Sequence, residues 1–126
     1  SKNTKEILER IGRSKAGQMA AIIKDMKELN AEEVADTFKI IIPKIEKGEM
    51  KFFIIRDLFL NFDTYKGKIV EAIGKSTVTI KAGDMAALRT MYNSDTGSMN
   101  TVLEIMVKKG TLTDEQIAEI KEQRKS

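Results

Sequence analysis

Residues 50–62 read Met50-Lys51-Phe52-Phe53-Ile54-Ile55-Arg56-Asp57-Leu58-Phe59-Leu60-Asn61-Phe62, and eight of the last eleven are apolar. Such a run is buried, as either a central helix or a central strand. Its length favours a helix, because strands usually have about five or six residues. Four of the chain's five phenylalanines lie here, so this stretch is the expected centre of the core. The fold class that follows is all-α or nearly so. We expect a compact single-domain multi-helix bundle over 1–126, with a short extended segment near 77–80.

Working outward, the flanking sequence reads as further helices. Asn3 with Glu6 suggests a capping box opening a first helix with Ile7 and Ile11 on one stripe, closed at Gly12 and Ser14. Lys15 to Leu29 carries Met19, Ile22, Ile23 and Met26 at helical spacing. Asn30 with Glu33 caps a third helix, whose Val34, Phe38, Ile41 and Ile45 share a face. Pro43 removes a backbone donor, so a kink or break is expected near Ile42, and Gly48 ends the segment.

Beyond the central run, Asp63 is the expected cap of a helix ending at Gly74. Ser76 to Lys81 alternates as Thr77-Val78-Thr79-Ile80, which is extended chemistry. A lone strand cannot hold itself, so the segment is a connector, half of a hairpin, or an edge for another chain. Asp84 caps a helix through Tyr92, Asn93–Gly97 forms a turn, and Ser98 caps a helix closed by Lys108, Lys109 and Gly110. Thr113 with Gln116 opens a last helix to about Arg124, expected to dock weakly over 112–126, since only Ile117 and Ile120 point inward. No linker, internal repeat or low-complexity tract divides the chain.

Composition narrows the chemistry. The chain has neither cysteine nor histidine. Thiolate nucleophiles, Ser-His-Asp triads, zinc hydrolases and zinc fingers are therefore excluded; carboxylate chemistry with magnesium stays formally open, but no metal or cofactor is expected. Missing cysteine fits a reducing compartment. No apolar run reaches the roughly 20 residues that span a bilayer, and Ser1-Lys2-Asn3-Thr4-Lys5-Glu6 lacks a signal-peptide core. We expect a cytoplasmic protein, with Ser1 following a removed initiator methionine or a tag. The abundance of lysine and isoleucine suits an AT-rich prokaryotic or phage genome.

Several patterns imitate chemistry. Gly74-Lys75-Ser76 resembles the end of a phosphate loop, but position 69 is Ile69 where that motif needs glycine. Asn93, Asp95 and Glu104 fall at calcium-loop positions, but Gly97 is one residue early. Glu32, Glu33 and Asp36, like Asp114, Glu115 and Glu119, sit where a helix dipole favours acids. Asp57 lies within the phenylalanine-rich run. Arg56 beside it is not expected to pair with it on one helical face, so the carboxylate points outward or finds a lysine a turn away. Of the seven methionines, Met19, Met26, Met85 and Met106 fall on inward stripes, while Met50 and Met99 at helix starts are candidates for exposure.

Two signals bear on partners. Residues 84–110 have the size of a helix-turn-helix, with two short helices about a five-residue polar turn. Its second helix would present Ser98, Asn100 and Thr101. Charge is also uneven: seven basic against four acidic side chains over 1–30, and five against three over 63–93. If these segments share a face, Lys66, Lys68, Lys75, Lys81 and Arg89, with Lys108, Lys109, Ser98 and Asn100, form a nucleic-acid surface. The leading expectation is nevertheless a non-catalytic protein-interaction or assembly protein, self-association included. Its basis is the loosely docked last helix and the unpaired extended segment. A nucleic-acid-binding regulator is the alternative.

Overall fold

Local hydrogen bonds between side chain and backbone write the clearest helix boundaries. The Asn30 carboxamide accepts from the Glu33 N–H at 2.8 Å, and the Glu33 carboxylate accepts from the Asn30 N–H at 3.2 Å. Thr113 and Gln116 make the same reciprocal pair, at 3.0 Å each. Each box satisfies donors that the first helical turn leaves unpaired. A computed structural model describes residues 2–122. Over them the chain forms eight α-helices: α1 (Lys2–Arg13), α2 (Met19–Lys27), α3 (Ala31–Glu46), α4 (Phe52–Asn61), α5 (Lys66–Lys75), α6 (Met85–Ser94), α7 (Thr96–Lys109) and α8 (Asp114–Lys121). Single 3-10 turns at Ala16–Gln18, Asp63–Tyr65 and Ala82–Asp84 lead into α2, α5 and α6. No strand occurs among the described residues. The expected end of the last helix at Arg124 lies outside them.

The helices stack in two layers. α1, α3, α5 and α7 lie side by side in that order, and α2, α4, α6 and α8 do the same. Contacts of α1 with α2, α4 with α5 and α6 with α7 join the layers. The phenylalanine-rich run is a helix at the centre, as its length indicated. α4 buries Ile54, Ile55, Leu58 and Phe59 between α2, α5 and α6. At the ends of the stack the outward positions are mostly polar: Lys5, Glu9 and Arg13 on α1, and Thr101, Glu104 and Lys108 on α7. Polar outer faces are what the terminal elements of a stacked array need to remain in water.

The two halves follow one plan, which corrects the expectation of no internal repeat. Lys15-Ala16-Gly17-Gln18-Met19-Ala20-Ala21 and Lys81-Ala82-Gly83-Asp84-Met85-Ala86-Ala87 differ at one position in seven. Both form a 3-10 turn entering a helix, with φ, ψ of −103°, 164° at Lys15 and −103°, 162° at Lys81. The Gln18 side chain accepts from the Lys15 N–H at 2.8 Å, and the Asp84 side chain from the Lys81 N–H at 3.0 Å. Buried Ile7 and Ile11 of α1 answer to buried Ile69 and Ile73 of α5. Among the described residues only Gly48 and Gly110 have positive φ, at 71° and 82°, and each closes the third helix of its half. Ser14 leads directly to Lys15, whereas Thr77-Val78-Thr79-Ile80 intervene between Ser76 and Lys81. The stretch with extended chemistry is thus an insertion in the second copy.

That insertion is neither a hairpin nor a bare edge. The Ile80 N–H donates to the Thr111 carbonyl at 2.9 Å, beside the Gly110 turn. Val78 meanwhile occupies the space that a Cβ on Gly48 would need. The segment therefore laces the two equivalent turns together.

Other expectations change. α3 runs unbroken through Pro43 to Glu46. The proline's missing N–H is absorbed by leaving the Lys39 carbonyl without its helical donor. Asn3 lies inside α1 and donates to Glu33 at 3.1 Å instead of capping. Asp63 opens a 3-10 turn and pairs with Lys66 at 3.5 Å. Asp57, 21% exposed, does accept from the Arg56 Nε at 3.1 Å, since a flexible guanidinium can fold back along the helix. Met99 is fully buried. The turn before it is one residue long, so Met99 already belongs to the inward stripe of α7.

The Gly48 turn yields a comparison. Gly48→Ala forces alanine into the left-handed region, at roughly 1–2 kcal/mol, and also displaces Val78. Gly110→Ala meets nothing within 4 Å and bears only the backbone cost. Urea unfolding should show the larger loss of midpoint for Gly48→Ala; equal losses would show that Val78 does not pack on the turn.

Candidate functional site

The residues singled out for nucleic-acid contact are spread over the molecule, and most are engaged. Lys66 is a hub: its Nζ lies 3.5 Å from Asp63, 3.8 Å from Asp95 and 5.0 Å over the Phe59 ring. Lys75 pairs with Glu71 at 3.2 Å. That hydrogen bond and the Glu71 charge hold its ammonium above the ordinary lysine pKa, with Glu46 adding to the effect. Lys109 donates to the Gly74 and Ser76 carbonyls at 2.8 and 3.0 Å, capping the C-terminus of α5. Arg89 on α6 donates to the Glu119 carbonyl at 2.9 Å and helps to hold α8, whose Ile120 is fully buried. Lys68, Lys81 and Lys108 are exposed and Asn100 is half-buried. α3 lies between α1 and α5, and α4 between α2 and α6, so most of the two basic segments is held apart, although Met26 and Lys27 of the first and Thr64 and Tyr65 of the second line one hollow.

The helix-turn-helix-sized unit also takes a different shape. Asn93, Ser94, Thr96 and Gly97 are helical, so Asp95 alone separates α6 from α7. Asp95, not Ser98, is the cap. Its carboxylate accepts from the Ser98 N–H at 3.1 Å and the Ser98 hydroxyl at 2.8 Å. These two bonds lower the Asp95 pKa, with Lys66 adding to the effect. The positive end of α7 therefore faces a carboxylate of its own chain.

A pair of hollows lies elsewhere, along α3. One hollow of about 320 Å³ is lined by Met26, Lys27, Ala31, Val34, Asn61, Phe62, Thr64 and Tyr65. A second, of about 260 Å³, is lined by Ala35, Phe38, Lys39, Ile42, Pro43, Tyr65 and Lys68. Tyr65 lines both, and both follow one face of α3, from Ala31 to Pro43. At 1.5 Å per residue this face is about 18 Å long. The floor is aromatic: Tyr65 stacks on Phe38 with centroids 4.0 Å apart, and Phe62 meets Phe38 edge-on at 5.4 Å.

The rim is cationic. Lys27 stands at one end, where its Nζ donates to Asn61 at 3.3 Å. Lys39 and Lys68 stand at the other, Lys68 5.8 Å over the Tyr65 ring. Asp36 reaches Lys39 at 4.0 Å. Lys27 and Lys68 have no carboxylate partner among the described residues, and no acidic side chain lines either hollow.

No group of three His, Cys, Asp or Glu is placed to share a metal ion among the described residues. No described helix is long and apolar enough to cross a membrane. Comparison with protein-family models, with curated proteins and with solved structures finds no match.

The Asp95 cap titrates. A carboxylate with a lowered folded pKa adds stability above its unfolded value, near ~3.9, and loses it as pH falls through the folded value. Asp95→Asn keeps the cap but not the charge. The wild type's higher urea midpoint near neutrality should shrink as the pH is lowered through that range; a difference independent of pH would remove the charge from the account.

Proposed function

We propose that this chain is a non-catalytic binding protein, a protein-interaction or assembly domain, and that its partner docks along α3. One observation carries this reading. α3 turns half-buried Val34 and Ile42 toward hollows that no other element of the described chain fills. Apolar side chains lining an open groove gain free energy when a partner covers them, at about 25 cal/mol per Å² removed from water. The rest of the stack supports such a role by its rigidity. Two layers of packed helices hold the groove walls in fixed register, which lowers the ordering cost of binding.

Nucleic-acid binding is the competing reading, and placement weakens it. Lys66, Lys75, Arg89, Lys109 and Ser98 already hold partners within the chain. Phosphate contacts from these groups would have to break internal bonds first.

Site-specific photo-cross-linking in cells tests the proposal. A photoreactive side chain at Ala35 should give discrete protein adducts, whereas one at Lys108 on α7 should not. Equal yields from both positions would contradict it. So would anisotropy titrations showing DNA or RNA bound more tightly than about 1 μM at physiological salt, weakening steeply as salt rises.

A further inference from the structure

We infer that the groove along α3 takes an acidic, partly apolar segment of a partner protein; this rests on the docking role proposed above. Charge selects the class. Three lysines stand around the two hollows and no carboxylate lines them. A basic segment laid here would meet Lys27 at one end and Lys68 at the other, neither neutralised by an acid of this chain. An acidic segment would pair with both. Like charges across an interface penalise the wrong partner more strongly than opposite charges reward the right one, so the rim acts as a filter.

Length sets the size of the segment. Half-buried Val34 and Ile42 stand about 12 Å apart along α3. The face of about 18 Å is spanned by three helical turns or by about five extended residues. Tyr65, which lines both hollows, stands between these stations.

Selection from a phage-displayed library of random 16-residue peptides on the intact chain tests this. Amide shift mapping then locates the selected peptides. The expected pool is rich in Asp and Glu, with apolar residues among them, and perturbs Val34, Ile42 and Tyr65. The triple variant Lys27→Glu, Lys39→Glu, Lys68→Glu should bind the best acidic peptide about tenfold or more weakly. Binding should return when that peptide's acids are exchanged for lysine, a rescue that an unfolded variant could not give. Peptides that map to the groove without acidic bias would overturn the inferred charge class and leave the docking role standing. Peptides mapping elsewhere, or no enrichment, would remove the groove itself.

Discussion

The stacking of Phe38 on Tyr65 is the contact on which the two halves depend. Phe38 comes from α3 in the first copy, and Tyr65 ends the 3-10 turn that starts the second. Their rings lie 4.0 Å apart and nearly parallel, with Phe38 almost wholly buried. Around them α3 packs on α5, while α4 packs on α6 in the other layer. Within each half, α1 packs on α3 and α5 on α7. The junction between copies therefore repeats the packing inside each copy, which is how stacked units extend one continuous core. The same aromatic pair forms the floor of the groove, so the contact that joins the halves also shapes the proposed docking surface.

The second copy is not a plain duplicate. Its insertion, Thr77–Ile80, reaches the Gly48 turn of the first half through Val78 and the Thr111 carbonyl of its own half through Ile80. Lys109 closes the arrangement by capping α5 where the insertion departs. A β-branched, alternating sequence suits this task without any sheet. Stiff side chains favour extended backbone, and hydrogen bonds from the Ile80 N–H to Thr111, from Gln116 to the Ile80 carbonyl and from the Val78 N–H to Ser76, with the Ile80 side chain buried, hold the path.

Much of the fold was legible because its signals are local. The Asn30–Glu33 and Thr113–Gln116 boxes, the glycines after α3 and α7, and the apolar run of α4 each need only a few residues to be read. The repeat was harder to see. Four inserted residues and unequal third helices shift the register between copies, so matched positions never share one spacing for long. The lysine roles were not legible at all. A lysine reaches several ångströms, and whether Lys109 meets solvent or the end of α5 depends on a helix 35 residues away. The groove stayed hidden for the same reason. α3 reads as one ordinary amphipathic helix, and only its placement beside Tyr65 and Lys68 shows which part of its surface is left uncovered.

Native-state hydrogen exchange of the intact chain tests most directly whether the α3–α5 junction makes the two copies a single cooperative body. The account predicts that the central amides of α3 and α5 share the highest protection and open together, with the Ile80 amide also protected by its bond to Thr111. Separate opening of residues 2–61 and 63–121, with different free energies and different denaturant sensitivity, would contradict it.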